Sequence, residues 1–106
     1  MQIDQRLDGR IERRLPIVIA VRLSPVEGLP REEELTYTDN VSLHGARIVS
    51  EHSWKVGESA NVVSLKEGVS MAGEAVYCQS IGKKFFVGFK FQERVTWSPL
   101  NRYQVT

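Results

Sequence analysis

The chain has 106 residues, of which 42% are hydrophobic and 25% are charged, a composition typical of one globular domain. Its 14 basic and 13 acidic residues leave a net charge of +1, so the chain as a whole has no electrostatic preference for nucleic acid. The single cysteine, Cys78, excludes an internal disulfide, and no apolar run approaches the length that spans a membrane. Because the N-terminus is also too polar for a signal peptide, we expect a cytoplasmic protein without membrane insertion.

The first nine residues show no strand alternation and contain few apolar side chains, so residues 1–9 are expected to form a mobile arm. Arginine is concentrated in the first fourteen residues, at Arg6, Arg10, Arg13 and Arg14. The usual explanation of such a cluster is a solvated charged segment. A guanidinium group can also pair bidentately with phosphate, bind the O6/N7 edge of guanine, or stack on a purine ring.

Alternating apolar residues predict six β-strands. In the first, every second residue from Leu15 to Leu23 is apolar, and in the last, four apolar residues alternate from Phe85 to Phe91. The last strand is therefore the strongest candidate for the core. The predicted strands lie at residues 15–23, 35–41, 46–49, 59–65, 69–80 and 85–91. Both faces of the fifth strand are mixed, which leaves its inward face open.

The segments between these strands contain the residues that favour loops and turns. Residues 24–34 include two prolines and a glycine, and residues 66–68 and 81–83 each contain a glycine suited to a hairpin turn. Trp54, in the loop after the third strand, is expected to pack as a lid on one end of the core. Ser98-Pro99 predicts a short C-terminal helix with serine as its N-cap and proline at its first position. Six short strands with such turns indicate an antiparallel barrel or a sandwich.

A polar corner follows the second predicted strand, with the pattern Asn40-x-Ser42-x-x-Gly45. Asparagine and serine hydrogen-bond nearby backbone, and glycine can adopt positive φ, so on these residues alone a plain hairpin corner is favoured. Residues two apart in an extended chain project from the same face, however, and an amide together with a hydroxyl suits the edge of a base. Arg10-x-x-x-Arg14 upstream shifts the balance toward a binding site.

The two motifs together resemble the PilZ domain family, bacterial receptor domains for cyclic di-GMP, whose pattern is Arg-x-x-x-Arg, then a strand, then Asp/Asn-x-Ser-x-x-Gly. Both halves occur in the right order, and the resemblance covers roughly Arg10 to Phe91. It implies an all-β fold, a six-stranded antiparallel β-barrel, here with the mobile arm and the short C-terminal helix. The implied organisation is an arm at residues 1–9, a barrel domain at 10–94 and a C-terminal extension with the helix at 95–106.

The resemblance also implies a set of ligand-binding residues. Arg10 and Arg14 would bind phosphate and guanine, Asn40 and Ser42 would bind guanine edges or phosphate at the barrel rim, and Gly45 would keep the corner open. Asparagine at position 40 replaces the aspartate of many relatives, so it offers no carboxylate to the two N–H donors of guanine.

Two further residues are expected to contribute to the site. Arg13 lies beside the arginine motif, and Tyr77 occupies a position on the fifth strand where relatives often carry an aromatic or basic side chain that faces the ligand. An ordinary strand tyrosine is an equally good interpretation of Tyr77. Gly9 replaces a basic residue found in some relatives, which leaves open whether one or two ligand molecules bind.

The sequence shows no set of residues for catalysis, for a metal ion or for a cofactor. His44 and His52 have no cysteine at ligand spacing, and Cys78 lies inside a predicted strand, where a buried and inert thiol is expected. Phosphate-binding glycine loops and the common hydrolase motifs are absent. We therefore expect a receptor rather than an enzyme.

The leading hypothesis is a cyclic di-GMP receptor that couples ligand binding to ordering of its arm and to regulation of an unidentified protein partner. Family association suggests control of motility, polysaccharide or biofilm. The alternative is a PilZ-like protein-interaction module with a vestigial nucleotide site. A barrel that binds single-stranded nucleic acid would need a basic groove with exposed aromatic residues, whereas the aromatic residues of the last strand follow a core alternation.

Overall fold

The computed structural model describes residues 13–26 and 32–93, which contain six β-strands. These are β1 (Ala20–Pro25), β2 (Glu34–Val41), β3 (Gly45–Ser50), β4 (Ser59–Ser64), β5 (Ser70–Ile81) and β6 (Lys84–Phe91). All neighbouring strands are antiparallel, and the order β1-β2-β3-β6-β5-β4 closes because β4 pairs with β1. The predicted six-stranded antiparallel barrel is confirmed. The predicted arm, the C-terminal helix and Arg10 lie outside the described residues.

The core fills the barrel with the apolar residues that alternate along each strand. Its fully buried members include Val21, Leu23, Ile48, Val62 and Phe89. Trp54 closes one end, as expected: its ring meets Phe89 edge-on at 5.2 Å between centroids. Trp54 Nε1 donates a hydrogen bond to Ser50 Oγ at 3.2 Å, so the indole is buried with its polar atom satisfied. The part of the chain that the structure describes contains no helix able to cross a membrane.

The first strand is shorter than predicted, because β1 begins at Ala20 rather than at residue 15. Burial still alternates from residue 15 onward, as the apolar pattern requires. In the preceding segment a side chain replaces part of the regular ladder: Thr38 Oγ1 accepts a hydrogen bond from Ile19 N at 2.9 Å and donates one to the Ile17 carbonyl at 2.8 Å, while Thr38 N still donates to the Ile19 carbonyl at 3.0 Å. A threonine in this role is not visible in the apolar alternation, and the alternation therefore predicts too early a start for the strand.

A β-bulge explains why the fifth strand has two mixed faces. Ala75 pairs with Phe89 and Tyr77 pairs with Gly88, so the pairing skips Val76. Ala75 is fully buried, whereas Val76 and Tyr77 are both exposed, and alternation therefore shifts by one residue along the strand.

The thiol of Cys78 lies against the core but is only half-buried. Its sulfur accepts a hydrogen bond from Trp54 N at 3.5 Å, so Cys78 helps to hold the loop that carries the Trp54 lid.

Candidate ligand-binding site

The chain before β1 is fixed against the end of β2. Leu15 N donates to the Val41 carbonyl at 2.9 Å, and Val41 N donates to the Leu15 carbonyl at 3.0 Å. This isolated bridge places Arg14, which is exposed, beside the corner that follows β2. Arg13 is exposed next to it.

Four of the predicted site residues converge at this corner. Arg14 Nη1 donates a hydrogen bond to Asn40 Oδ1 at 3.1 Å, which joins the two motifs directly. A Cβ atom built on Gly45 would lie 3.7 Å from Ser42 Oγ and 3.8 Å from Arg14 Nη2. Arg14, Asn40, Ser42 and Gly45 therefore lie close together at one corner of the barrel, although 26 residues separate the first two. Arg14 is exposed there and Asn40 is half-buried, whereas Ser42 and Gly45 are buried.

Ser42 is placed within the corner rather than on its surface. Only 1% of the residue is exposed, and its backbone N–H donates to the Gly45 carbonyl at 2.9 Å. Its hydroxyl makes a longer contact of 3.5 Å with the same oxygen. Ser42 therefore closes the hairpin corner, and its hydroxyl lies next to Gly45.

The expected reason for glycine at position 45 was wrong. Within residues 13–26 and 32–93, the glycines with positive φ are Gly57, Gly68 and Gly82, and Gly45 is not among them. Instead, a Cβ on Gly45 would lie 2.7 Å from the Phe89 carbonyl oxygen, closer than van der Waals contact allows. Glycine is needed because two strands approach closely beneath the site.

A second β-bulge puts two adjacent polar residues of β2 on the outside. Thr38 pairs with Ile48 and Asn40 pairs with Arg47, so Asp39 is the extra residue. Thr38 and Val41 are fully buried, whereas Asp39 and Asn40 are both half-buried. The bulge thus adds the Asp39 carboxylate to the outer surface beside the motif asparagine.

Asp39 and Arg47 form a bidentate ion pair that the sequence analysis missed. Arg47 Nε and Nη2 donate to the two carboxylate oxygens of Asp39 at 2.8 and 2.7 Å. The Arg47 guanidinium also lies 4.1 Å from the centre of the Phe86 ring. The hydrogen bonds that Arg47 donates to Asp39 raise the pKa of Arg47, and Tyr77 adds a smaller upward contribution. The sequence signal was a single arginine within the otherwise uncharged strand β3.

Tyr77 lies on the same outer surface but three strands away from Asn40. Asn40 pairs with Arg47, Arg47 with Gly88, and Gly88 with Tyr77, which places all four in one row across the barrel. The Tyr77 ring covers Gly88, since a Cβ on Gly88 would overlap the ring, and 37% of Tyr77 remains exposed. Adjacent strands are about 4.8 Å apart, so this row is roughly 14 Å long.

The family model for the PilZ domain matches residues 4–100, and the chain therefore belongs to the PilZ domain family, whose members are receptor domains for cyclic di-GMP rather than enzymes. Among solved structures, the chain is similar to the Bacillus subtilis inhibitor of motility MotI/DgrA, with a TM-score of 0.68 and 20% sequence identity. The similarity covers 93% of this chain and 51% of that one, so the chain spans about half the length of that protein. At this identity the likeness shows a shared fold. No curated protein matches the chain.

The chemistry of the site is that of recognition by hydrogen bonds and charge. It offers the guanidinium donors of Arg14, the amide of Asn40 and the Asp39–Arg47 ion pair on one face. Residues 13–26 and 32–93 contain no group of three histidine, cysteine, aspartate or glutamate residues that could hold a metal ion.

Proposed function

We propose that the chain is a cyclic di-GMP receptor that binds its ligand on the outer face of the barrel, at Arg14, Asn40, Ser42 and Gly45. The observation that carries this proposal is the hydrogen bond between Arg14 and Asn40, which unites the two halves of the family motif. Arg10, Arg13 and Tyr77 are proposed as further ligand contacts, and no cofactor or catalytic residue is part of the proposal.

The ligand and the site are chemically complementary. Cyclic di-GMP presents two phosphates and two guanines, and arginine binds both phosphate oxygens and the O6/N7 edge of guanine. Arg14 is exposed, and to bind the ligand it has only to exchange the neutral amide oxygen of Asn40 for a charged phosphate oxygen. Because Gly45 has no side chain, no Cβ separates the Arg14 guanidinium from the Ser42 hydroxyl at this corner.

A titration with three ligands tests this function against the alternatives. Cyclic di-GMP is expected to bind with a dissociation constant of about 1 μM or tighter, on the order of −8 kcal/mol. GMP is expected to bind much more weakly because it carries one guanine, and a single-stranded oligonucleotide is expected not to compete. Absence of cyclic di-GMP binding at a hundredfold higher concentration would favour the protein-interaction module, and preferential binding of the oligonucleotide would favour a nucleic-acid protein.

We further propose that the ligand couples the N-terminal segment to the barrel and thereby regulates an unidentified protein partner in the cytoplasm, in motility, polysaccharide or biofilm control. The support is the position of Arg14, which lies one residue before the Leu15–Val41 bridge and so connects the preceding chain to the corner. Charge-assisted hydrogen bonds each contribute roughly 1.5–3 kcal/mol, so a few of them can offset the entropy lost when a handful of residues is ordered.

Hydrogen exchange tests this coupling. Saturating cyclic di-GMP is expected to slow amide exchange at least about tenfold over residues 6–14, because a ligand held by Arg10, Arg14 and the corner must restrain the chain between them. Residues 59–64 of β4, which lies across the barrel from β3, serve as the control and should exchange at the same rate in both states. Equal exchange over residues 6–14 with and without bound ligand would contradict the coupling.

A further inference from the structure

The β2 bulge provides a carboxylate at a position that the family motif does not include. Asp39 is the unpaired extra residue of the bulge, and its side chain shares the outer face with Asn40. With regular alternation, either Asp39 or Asn40 would have pointed into the core. Because of the bulge, the corner presents both an amide and a carboxylate to whatever binds there.

The motif asparagine cannot by itself match the edge of guanine that carries N1–H and N2–H. These are two parallel donors, which require two acceptors, whereas an asparagine side chain has one acceptor oxygen and one NH2 donor. A carboxylate with two oxygens is the side chain that suits this edge.

The partner of Asp39 shows that its carboxylate has the required orientation. Arg47 presents Nε–H and Nη2–H in parallel, and the two oxygens of Asp39 accept them at 2.8 and 2.7 Å. Guanine presents N1–H and N2–H from the same kind of N–C–N unit. The two parallel N–H donors of Arg47 therefore resemble N1–H and N2–H of guanine in chemistry and geometry. They occupy the two carboxylate oxygens that guanine would use.

The surroundings of the Asp39–Arg47 pair allow a guanine edge to replace the Arg47 guanidinium. The side chains of Arg47 and Asp39 are 30% and 26% exposed, so solvent and ligand reach the pair from outside the barrel. The Phe86 ring beneath the Arg47 guanidinium can hold Arg47 on the surface after Asp39 releases it. Arg47 would then retain its charge close to a bound anionic ligand.

We propose that Asp39 is a specificity-determining residue. Its carboxylate accepts hydrogen bonds from N1–H and N2–H of one guanine in place of the two from Arg47. The inference rests on the proposed binding of cyclic di-GMP at this corner. It assigns guanine selectivity to the residue before the motif asparagine, and it explains how a chain without a carboxylate at position 40 can still read guanine.

The test compares two ligands that differ only at the N2 amino group, one of the two donors that Asp39 would accept. Cyclic di-IMP carries hypoxanthine, which lacks the N2 amino group of guanine. The wild-type chain is expected to prefer cyclic di-GMP over cyclic di-IMP, and Asp39→Asn is expected to reduce this preference about tenfold or more, since one good bidentate base contact provides discrimination of that order. Glu51→Gln removes the same charge at an exposed carboxylate that pairs with Lys84, and it should leave the preference unchanged.

The ratio of affinities separates recognition from folding, because a variant that only loosened the barrel would weaken both ligands equally. An unchanged ratio in Asp39→Asn, in a wild-type background that binds cyclic di-GMP, would overturn this inference and leave the proposed function intact. If the wild-type chain binds neither ligand, the proposed function itself fails.

A second measurement is the Arg47 Nε–H resonance, which should shift when cyclic di-GMP is added to saturation. No shift would show that Arg47 keeps its hydrogen bonds to Asp39 and would likewise overturn the inference.

Discussion

Replacing Arg14 with alanine is expected to weaken cyclic di-GMP binding by about a hundredfold or more while leaving the thermal midpoint of the free protein nearly unchanged. Arg14 is exposed and outside the core, and its contact to Asn40 is a single hydrogen bond at the surface. Two charge-assisted hydrogen bonds to a ligand contribute roughly 3–6 kcal/mol together, which is the source of the large effect on affinity. Calorimetric titration and a thermal melt of the same samples measure both quantities.

Arg22→Ala is the matched control for this variant. Arg22 is also a surface arginine with a weak partner, Glu33 at 3.5 Å, but it lies opposite Leu35, at the other end of β2 from Asn40. Its removal should leave the affinity for cyclic di-GMP unchanged.

Arg14→Lys, like Arg14→Ala, should lose most of the affinity, because an ammonium group cannot form the two parallel hydrogen bonds of a planar guanidinium. Full affinity in the lysine variant would show that only charge matters at this position.

Gly45→Ala is expected to remove binding and to destabilise the barrel. The added Cβ would meet the Phe89 carbonyl oxygen at 2.7 Å, and a backbone atom within the paired strands β3 and β6 cannot move aside without cost. Overpacking of this kind costs about 1–3 kcal/mol, and each kcal/mol lowers Tm by about 4–8 °C in a domain of this size. The same methyl group would lie 3.7 Å from Ser42 Oγ and 3.8 Å from Arg14 Nη2, so a shift of the corner that relieves the overlap would also displace two side chains proposed to bind the ligand.

Gly82→Ala distinguishes these two effects. Gly82 has a φ of +68°, and a Cβ there would meet no neighbouring atom, so alanine strains the β5–β6 turn without filling the site. Gly82→Ala should therefore lower Tm and leave affinity unchanged when both are measured well below the midpoint. If Gly45→Ala bound cyclic di-GMP like the wild-type chain, the corner would not be the ligand-binding surface.

The strands could be predicted from the sequence because an antiparallel barrel with one buried face imposes strict alternation. The five later strands lie within one or two residues of their predicted bounds, and the phenylalanine-rich β6 is buried on its predicted face. The start of β1 could not be predicted, because the hydroxyl of Thr38 replaces part of the ladder before Ala20. Apolar periodicity contains no information about such a side-chain contact.

The candidate site was predictable where it coincides with the family motif and not where it depends on the bulge. Arg14, Asn40, Ser42 and Gly45 were expected to lie together, and they do. Asp39 was overlooked because regular alternation leaves room for only one outward residue at that point in β2. Two consecutive polar residues between Thr38 and Val41 are a possible signature of a bulge, and that signal was present in the sequence.

A cyclic di-GMP titration followed by the backbone amide resonances of the whole protein tests the central claim most directly. The account predicts saturable shifts at micromolar ligand that are largest at Asn40, Ser42 and Gly45, with no shift at Asn61 in β4, which lies across the barrel from β3. No saturable shift at a hundredfold higher concentration, or shifts centred on β4 while the corner between β2 and β3 remains unchanged, would contradict it.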